Sequence, residues 1–453
     1  MDNKEFVRKH LNDDVNKLAL SKFPEEIDKQ FVIRQIQARQ VLSKKLPSWA
    51  ENDELIFPKK LSLEQCSSEL TAKYKALLLS TNPHESPQKI SADSCILVDE
   101  KVSTNQHKST RMISADSCEL VDEKTILVDL TGGMGVDTSF LSDNFDKTYY
   151  VEMQEELCDI ARHNFKILNK NIEVVNDNAE HFLTTCDEVD CIYLDPARRD
   201  EYGRKMVSLH DCSPDVAELQ DVLFEKAKAV MVKLSPMLDI DIVKKELKNI
   251  KEIHIVAVRN ECKEILVILG QQTLPIAHGS QLIATDLREN WNFSFTEDEE
   301  QNAEWTLADK VGRYLYEPGA AFMKAGCFKL LSQKYNLDKL HRNSHLYTSD
   351  VLVPDFPGRI FEVINVVPFD KKAKKEITSR CQQTTDNGQQ TLEESSKLKA
   401  QSSRLKASVA TRNFPLSADE LKKNLGLQDG SEFYIFGTTM KGEKKVVVLA
   451  KKL

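Results

Sequence analysis

Along residues 126–270 short apolar runs alternate with amphipathic stretches. Ile126, Leu127, Val128 and Leu130 form a run of the kind buried in a parallel sheet. Gly132, Gly133 and Gly135 follow at once, and Val136 to Leu141 then predicts a helix. Runs at 148–151, 172–175, 191–194 and 229–234 predict further strands, with helices over 155–168, 179–184, 215–226 and 239–248. The last two runs, 253–258 and 265–269, are separated only by R-N-E-C-K-E. That connection is too short for a parallel crossover, so the final strand is expected antiparallel to its neighbour. The pattern predicts a seven-stranded, doubly wound α/β sheet with one reversed strand.

The flanks read differently. Residues 4–46 carry a helical stripe, Phe6, Leu11, Val15 and Leu18, continued by Ile27, Phe31, Ile36 and Val41 after Pro24. Pro47 and Pro58 break it, and a helix over 63–79 is expected to open on Ser62 with Gln65 as a capping box. Ser68, Thr71 and Lys75 share one face of that helix, which either borders a ligand or faces solvent. I-S-A-D-S-C-I-L-V-D-E-K at 90–101 returns at 113–124 with one change in twelve, so 81–124 reads as a duplicated polar insertion. Beyond 270 a strand pair over I-A-T-D-L and W-N-F-S-F and a helix over 319–334 are expected. A strand at 360–367, a second polar insertion over 377–406, a helix capped by Ser417 with Glu420, and a hairpin at Lys441-Gly442 complete the chain.

Composition narrows the class. The 453 residues are 41% hydrophobic and 29% charged, with no apolar run of membrane-spanning length and no secretory signal pattern, so a cytoplasmic protein is expected. Ten scattered cysteines without a C-x-x-C pair suit free thiols and no zinc site. The net charge of −9 conceals a basic end: residues 341–453 hold 19 Lys and Arg against 13 Asp and Glu. Such an end is expected to meet a polyanion, RNA, or to be a solvated lysine surface.

Asp129, Glu152, Asp177 and Asp195 fall at the ends of predicted strands, and in a doubly wound sheet those ends line one crevice. Asp195 opens D-P-A-R-R. With D-L-T-G-G-M-G-V-D, Y-V-E, N-D-N-A and Y-L-D-P-A-R-R, the chain resembles class I S-adenosylmethionine methyltransferases. More closely, it is similar to bacterial members that carry a ferredoxin-like module and a C-terminal THUMP-like domain, a domain type associated with RNA-modifying enzymes. The resemblance implies a Rossmann-like class I methyltransferase domain at 125–270, after a helical region at 1–80 and the insertion at 81–124. It further implies small α+β domains, ferredoxin-like at 271–340 and THUMP-like at 341–453. S-adenosylmethionine is the implied cofactor, held by Asp129, Thr131, Gly132, Gly133, Gly135, Asp137, Glu152, Met153, Asp177, Asn178, Ala179 and Asp195. Glu152 is expected to accept the ribose hydroxyls, and Asp177 with its following N–H to read the adenine edge. Asp195, Pro196 and Arg198 are the implied catalytic residues, and structured RNA, tRNA or rRNA, the implied partner. Relatives that methylate exocyclic amines usually show Asp/Asn-Pro-Pro and an aromatic residue; Ala197 and Arg198 stand there instead, which leaves the target atom open.

Other candidates are secondary. Lys233, Ser235 and Pro236 follow the fifth strand and face either the acceptor or solvent. Arg198 and Arg199 hold a phosphate, a base edge or a neighbouring Asp. Glu317, Pro318 and Lys324 resemble the ferredoxin-like module or are surface charges, and Cys191 reads as core. His341 and His345 have i,i+4 spacing but no third ligand, so no metal is expected. The rival functions are methylation of a small molecule or protein, and a non-catalytic RNA-binding protein with a vestigial cofactor fold. A nicotinamide oxidoreductase fits less well, because G-G-M-G-V-D-T lacks the full G-x-G-x-x-G spacing.

Overall fold

The computed structural model describes residues 2–80, 124–198, 208–270, 280–377 and 406–453. The insertions expected at 81–124 and 377–406 lie almost wholly outside the described residues, as does Arg199. The chain divides into two compact units, one holding most of residues 1–280 and the other most of 281–453.

The first unit opens with six helices: α1 (Asn3–Lys9), α2 (Val15–Ala19), α3 (Lys29–Leu42), α4 (Pro47–Ala50), α5 (Lys60–Gln65) and α6 (Glu69–Leu78). The stripe expected as one helical stretch is cut into short pieces by its own aspartates. The side chains of Asp2, Asp14 and Asp28 each accept a first-turn backbone N–H and so start a new helix. The helix expected over 63–79 is likewise two helices. Cys66 is extended, and the Ser68 side chain accepts the Thr71 N–H at 3.2 Å to open α6, while Lys59 heads α5 without a side-chain bond. Ser62 and Gln65 therefore lie inside α5 and form no capping box. Phe6, Val7, Leu18, Ile27, Val32 and Ile36 make one small core. Buried Arg39 donates to the carbonyls of Ala50, Asn52 and Leu55 at 2.8, 2.9 and 3.0 Å, fastening the turn after α4.

The sheet of this unit uses β1 (Ile126–Asp129), β2 (Lys147–Glu152), β3 (Ile172–Asn176), β4 (Val189–Leu194), β7 (Ala227–Leu234), β8 (Ile250–Ala257) and β9 (Cys262–Gly270). Between β4 and β7 lie β5 (Ala197–Arg198) and β6 (Cys212–Ser213), an antiparallel two-residue ladder. The seven sheet strands run in the order β8-β9-β7-β4-β1-β2-β3. The pairs β1–β2, β1–β4, β2–β3 and β4–β7 are parallel and β9 is antiparallel to β7, so the expected doubly wound sheet with one reversed strand is present. Helices α7 (Val136–Leu141), α8 (Glu155–Ile167), α9 (Ala179–Thr185), α10 (Val216–Lys226) and α11 (Ile240–Glu246) supply the crossovers. Strand order reverses direction between β1 and β4, which opens a crevice at their carboxyl ends.

The second unit begins with an antiparallel hairpin, β10 (Gln281–Asp286) and β11 (Trp291–Thr296), and α12 (Glu297–Asn302). The expected helix over 319–334 is α13 (Ala320–Ala325) and α14 (Phe328–Tyr335), parted at Gly326, whose φ of 81° ends the first helix in a left-handed cap. Helix α15 (Ala418–Leu425) has the reciprocal Ser417–Glu420 capping box that its sequence predicts. The strands β12 (Tyr314–Pro318), β13 (Asp338–Lys339), β14 (Tyr347–Ser349), β15 (Gly358–Pro368), β16 (Lys406–Arg412), β17 (Gln428–Met440) and β18 (Lys444–Lys452) form one sheet, ordered β13-β14-β12-β15-β18-β17-β16. It takes strands from both sides of residue 340, and only β16–β17 pairs in parallel. Leu421, Leu425, Phe433 and Leu449 pack in one core of the unit, and Leu315, Phe361, Phe436 and Val448 in another.

Candidate cofactor and acceptor site

The turn after β1 is built on contacts that only glycine permits. The N–H of Gly132 bonds to the Val151 carbonyl at 2.9 Å, and that of Gly135 to the Gly132 carbonyl at 2.8 Å. A Cβ on Gly132 would stand 2.2 Å from the Tyr150 ring, and Gly135, at φ 79°, would put one 2.7 Å from Phe165. Tyr150 closes the turn from beneath, its hydroxyl donating to the Gly133 carbonyl at 2.6 Å. The backbone is thereby drawn into a cradle from which α7 starts.

Each carboxylate at a strand end is held in place. Glu152 accepts the N–H of Gly133 on one oxygen and of Gln154 on the other, both at 2.9 Å. Asp129 is 1% exposed; it accepts the Thr131 N–H at 3.0 Å and the Thr138 hydroxyl at 2.5 Å. Burial pushes its carboxyl up to about 7, against the pull of those two bonds. The Asp195 N–H bonds to Thr131 Oγ1 at 2.6 Å, so the loop after β4 is tied to the glycine turn. Asp177 accepts from His181 at 2.6 Å, which holds its carboxyl below the ordinary range, and its other oxygen takes the Asn178 N–H at 2.8 Å. The Asn178 N–H, expected with Asp177 to read the adenine edge, bonds to Asp177 itself in this structure, a short-range bond of the kind Asp readily makes.

These elements enclose a cavity of about 240 Å³. All twelve residues expected to contact a cofactor line it: Asp129, Thr131, Gly132, Gly133, Gly135, Asp137, Glu152, Met153, Asp177, Asn178, Ala179 and Asp195. Pro196 is not among the lining residues, though its neighbours Asp195 and Ala197 are. Arg198 pairs through its backbone with Cys212, and its side chain lies outside the described residues. Two further walls carry no signal in the sequence: the break between α5 and α6, where Ser62, Gln65, Cys66 and Ser67 line the cavity, and Ser213 with Pro214 at the end of β6. Ser68, Thr71 and Lys75, the residues singled out on α6, do not: Ser68 caps the helix, and Thr71 and Lys75 are buried.

Lys75 anchors a charge cluster beside the cavity. Its ammonium, 0% exposed, lies 2.8 Å from Glu264, 3.1 Å from Ser67 Oγ and 3.3 Å from Asp137 Oδ1. Asp137 Oδ2 accepts from Ser67 at 2.7 Å and from Tyr193 at 2.8 Å. Burial opposes the Asp137 charge, but Lys75 and Lys233 outweigh it and hold the carboxyl below its ordinary range. Burial wins at Glu264, whose carboxyl is raised despite the same two lysines. Lys233, expected only to face the acceptor or solvent, pairs with the Asp195 carboxylate. Burial works against its charge too, yet Asp195, Asp137 and Glu264 raise it above the usual lysine value. Lys75 is legible in the sequence as a polar residue on one helix face. Asp137 is 70 residues from Ser67, however, and Glu264 is 189 from Lys75, and no local pattern reports such partners.

In the second unit, His341 bonds to Glu443 at 3.0 Å and to Asn413 at 2.9 Å, whereas His345 stacks on Phe328 at 3.6 Å. Glu317 is buried rather than a surface charge, and Arg359 and Arg412 both pair with it. Cys191 is buried in β4 as expected. No helix among the described residues is long and apolar enough to cross a membrane.

Comparison with known proteins adds the family. Residues 314–357 match a family described as a ferredoxin-like domain, and residues 391–452 one described as THUMP domain-like. No curated protein matches the chain. The crystal structure of a putative methyltransferase from Porphyromonas gingivalis W83 is 30% identical, with a TM-score of 0.76 over 99% of this chain and 97% of that one. An rRNA methylase from Streptococcus thermophilus is 18% identical over 34% of this chain and 91% of that one, with a TM-score of 0.26. A putative methyltransferase from Streptococcus mutans, solved with SAH, is 16% identical over 32% of this chain and 88% of that one, with a TM-score of 0.25. With the Porphyromonas relative matched almost end to end, the chain belongs to the bacterial class I S-adenosylmethionine-dependent methyltransferase family that carries a ferredoxin-like module and a C-terminal THUMP-like domain.

Proposed function

We propose that this protein methylates a base in structured RNA, tRNA or rRNA, using S-adenosylmethionine. The observation that carries the reading is the charge of the cavity. Asp129, Asp137, Glu152, Asp177, Glu180 and Asp195 line it, and among the described lining residues there is no Lys or Arg. Lys75 and Lys233 are already paired with Asp137, Glu264 and Asp195, so a dinucleotide pyrophosphate would find no uncommitted cation among the described lining residues. A ligand with a sulfonium, an ammonium and a ribose diol suits the same wall. The cofactor supplies an electrophilic methyl group when bound; the remaining work falls to the protein.

Each oxygen of Glu152 already takes one backbone N–H, which fixes the carboxylate and leaves lone pairs for two ribose hydroxyls. The glycine turn gives the rest of the cofactor a backbone surface free of side chains. Lys233 fixes one oxygen of Asp195, so the other is available to an acceptor amine, with the Pro196 carbonyl as second acceptor. Two such bonds turn the amine lone pair outward, and positioning of this kind can lower a barrier by several kcal/mol. A strong base is not required, because the methylated ammonium product is acidic. A base within a stem would be flipped out to reach the loop, with Arg198 on its phosphate or edge.

The RNA part rests on the THUMP domain-like match and the basic C-terminal region. A second reading, methylation of a small molecule or protein, is favoured by Arg412, whose guanidinium is held on Glu317 instead of being free for a phosphate. The test is transfer of labelled methyl from S-adenosylmethionine into RNA from cells lacking this gene, followed by mass mapping of nucleosides. One methylated nucleoside is expected, and none when the RNA is destroyed by nuclease before the reaction; label appearing only in protein or small-molecule fractions would favour the second reading.

A further inference from the structure

The α5–α6 break belongs to a helical region that precedes the sheet in sequence, yet it forms part of the cavity wall. Its attachment is extensive. Met134 and Val136, from the glycine turn and α7, share a buried core with Leu42, Trp49, Phe57 and Leu63, with Cys66 packed against it. Ser67 bonds to Asp137, and Lys75 joins Asp137 to Glu264 of β9. Removing one partner from a buried ion pair leaves the other charge uncompensated, so this side of the cavity is fixed.

The wall also has a division of labour. Glu152 and Asp177 stand at the ends of β2 and β3, and these account for the nucleoside half of the cofactor in the proposed function, on which the present inference rests. The break lies instead beside Asp137, the residue on which Ser67 is anchored. The amino-acid half of the cofactor carries an α-ammonium and an α-carboxylate. The lining carboxylates suit the ammonium; among the described lining residues none is a Lys or Arg, so the α-carboxylate calls for neutral donors from that wall. Ser67 is already committed to Asp137 and Lys75, and Cys66 donates to the Leu63 carbonyl. Ser62 and Gln65, one helical turn apart on α5, line the same wall with side chains that have no hydrogen-bond partner among the described residues.

We propose that Ser62 and Gln65 form the subsite for the α-carboxylate of the cofactor, which makes the N-terminal helical region part of the binding site. A neutral donor to a charged acceptor is worth about 1.5–3 kcal/mol, or about ten- to hundred-fold in affinity. Calorimetry with two probes isolates this contribution. S-adenosylhomocysteine keeps the amino acid; 5′-methylthioadenosine keeps only the nucleoside and its thioether. In the Ser62→Ala/Gln65→Ala variant, binding of S-adenosylhomocysteine should fall by about ten-fold or more while binding of 5′-methylthioadenosine is unchanged. Neither residue is buried, so a wild-type melting temperature is expected and confirms the fold. Equal losses for both probes, or no loss for either, would overturn the subsite. If the wild type bound neither probe, the cofactor reading would fail and the subsite with it.

Discussion

Two strand ends in this molecule look alike in sequence and have opposite fates. In the first unit Y-L-D-P carries β4 into Asp195; in the second, Y-L-Y-E-P ends β12 around Glu317. Asp195 leaves a parallel strand at the point where strand order reverses, and its carboxylate faces a cavity with one oxygen taken by Lys233. Glu317 sits on a strand flanked on both sides by antiparallel neighbours, β14 and β15. Arg359, its register partner, takes one oxygen, and Arg412 takes the other at 2.6 Å. One carboxylate is left with capacity for a ligand, while the other is consumed by the fold. An acidic residue at a strand end therefore indicates a site only where parallel topology opens a crevice.

That contrast can be broken by substitution. The largest effect is expected at Asp195: Asp195→Ala should abolish methyl transfer on an identified substrate, a loss of several kcal/mol of barrier stabilisation, while S-adenosylhomocysteine still binds by calorimetry. Turnover at the wild-type rate would make the loop structural. Glu317→Ala should do the reverse. It strands two arginines and should destabilise the second unit by about 2–4 kcal/mol in denaturant melts, with cofactor affinity unchanged. Weakened cofactor binding in that variant would erase the distinction drawn above.

Smaller effects are expected at three further places. Glu152→Ala should weaken cofactor binding by about 1.5–3 kcal/mol for a charged hydrogen bond lost, read by calorimetry. Asp129 tests the cost of the site. Its carboxyl is raised to about 7 in the fold, so the native state keeps a proton that the unfolded chain loses near the ordinary aspartate value. The stability from that retained proton is present at low pH and is lost as pH rises toward about 7. Relative to Asp129→Asn, the wild type should lose about 1–2 kcal/mol between about pH 5 and about pH 8 in urea melts. The opposite slope would mean that the carboxylate is stabilised by its bonds to Thr131 and Thr138. Last, reversing the charge at Lys371, Lys372 and Lys375 should leave folding intact and shallow the salt dependence of RNA binding, since each phosphate contact releases counterions. An unchanged slope would place the RNA elsewhere.

The sheet was readable because period and spacing are local properties. The six-residue link between apolar runs predicts the reversed strand, and the glycine turn predicts the crevice and the residues around it. Helix ends were less readable where a polar side chain chose between continuing and capping, as at Asp14, Asp28 and Ser68. Gly326 likewise split a helix whose apolar pattern ran straight through it. What could not be read was partnership across the chain. Lys75 looks like an ordinary helix lysine until Glu264 and Asp137 are brought to it, and Arg412 looks like a free cation until Glu317 is. Charge counts in the sequence cannot tell a phosphate-binding arginine from one already neutralised by the fold.

The carboxylate-lined cavity at the β1–β4 crevice is assigned to S-adenosylmethionine. Calorimetric titration of the full-length wild-type protein with S-adenosylmethionine, alongside NAD, tests it directly. Saturable binding of S-adenosylmethionine is expected, and none of NAD. Tight binding of NAD with no binding of S-adenosylmethionine would contradict it.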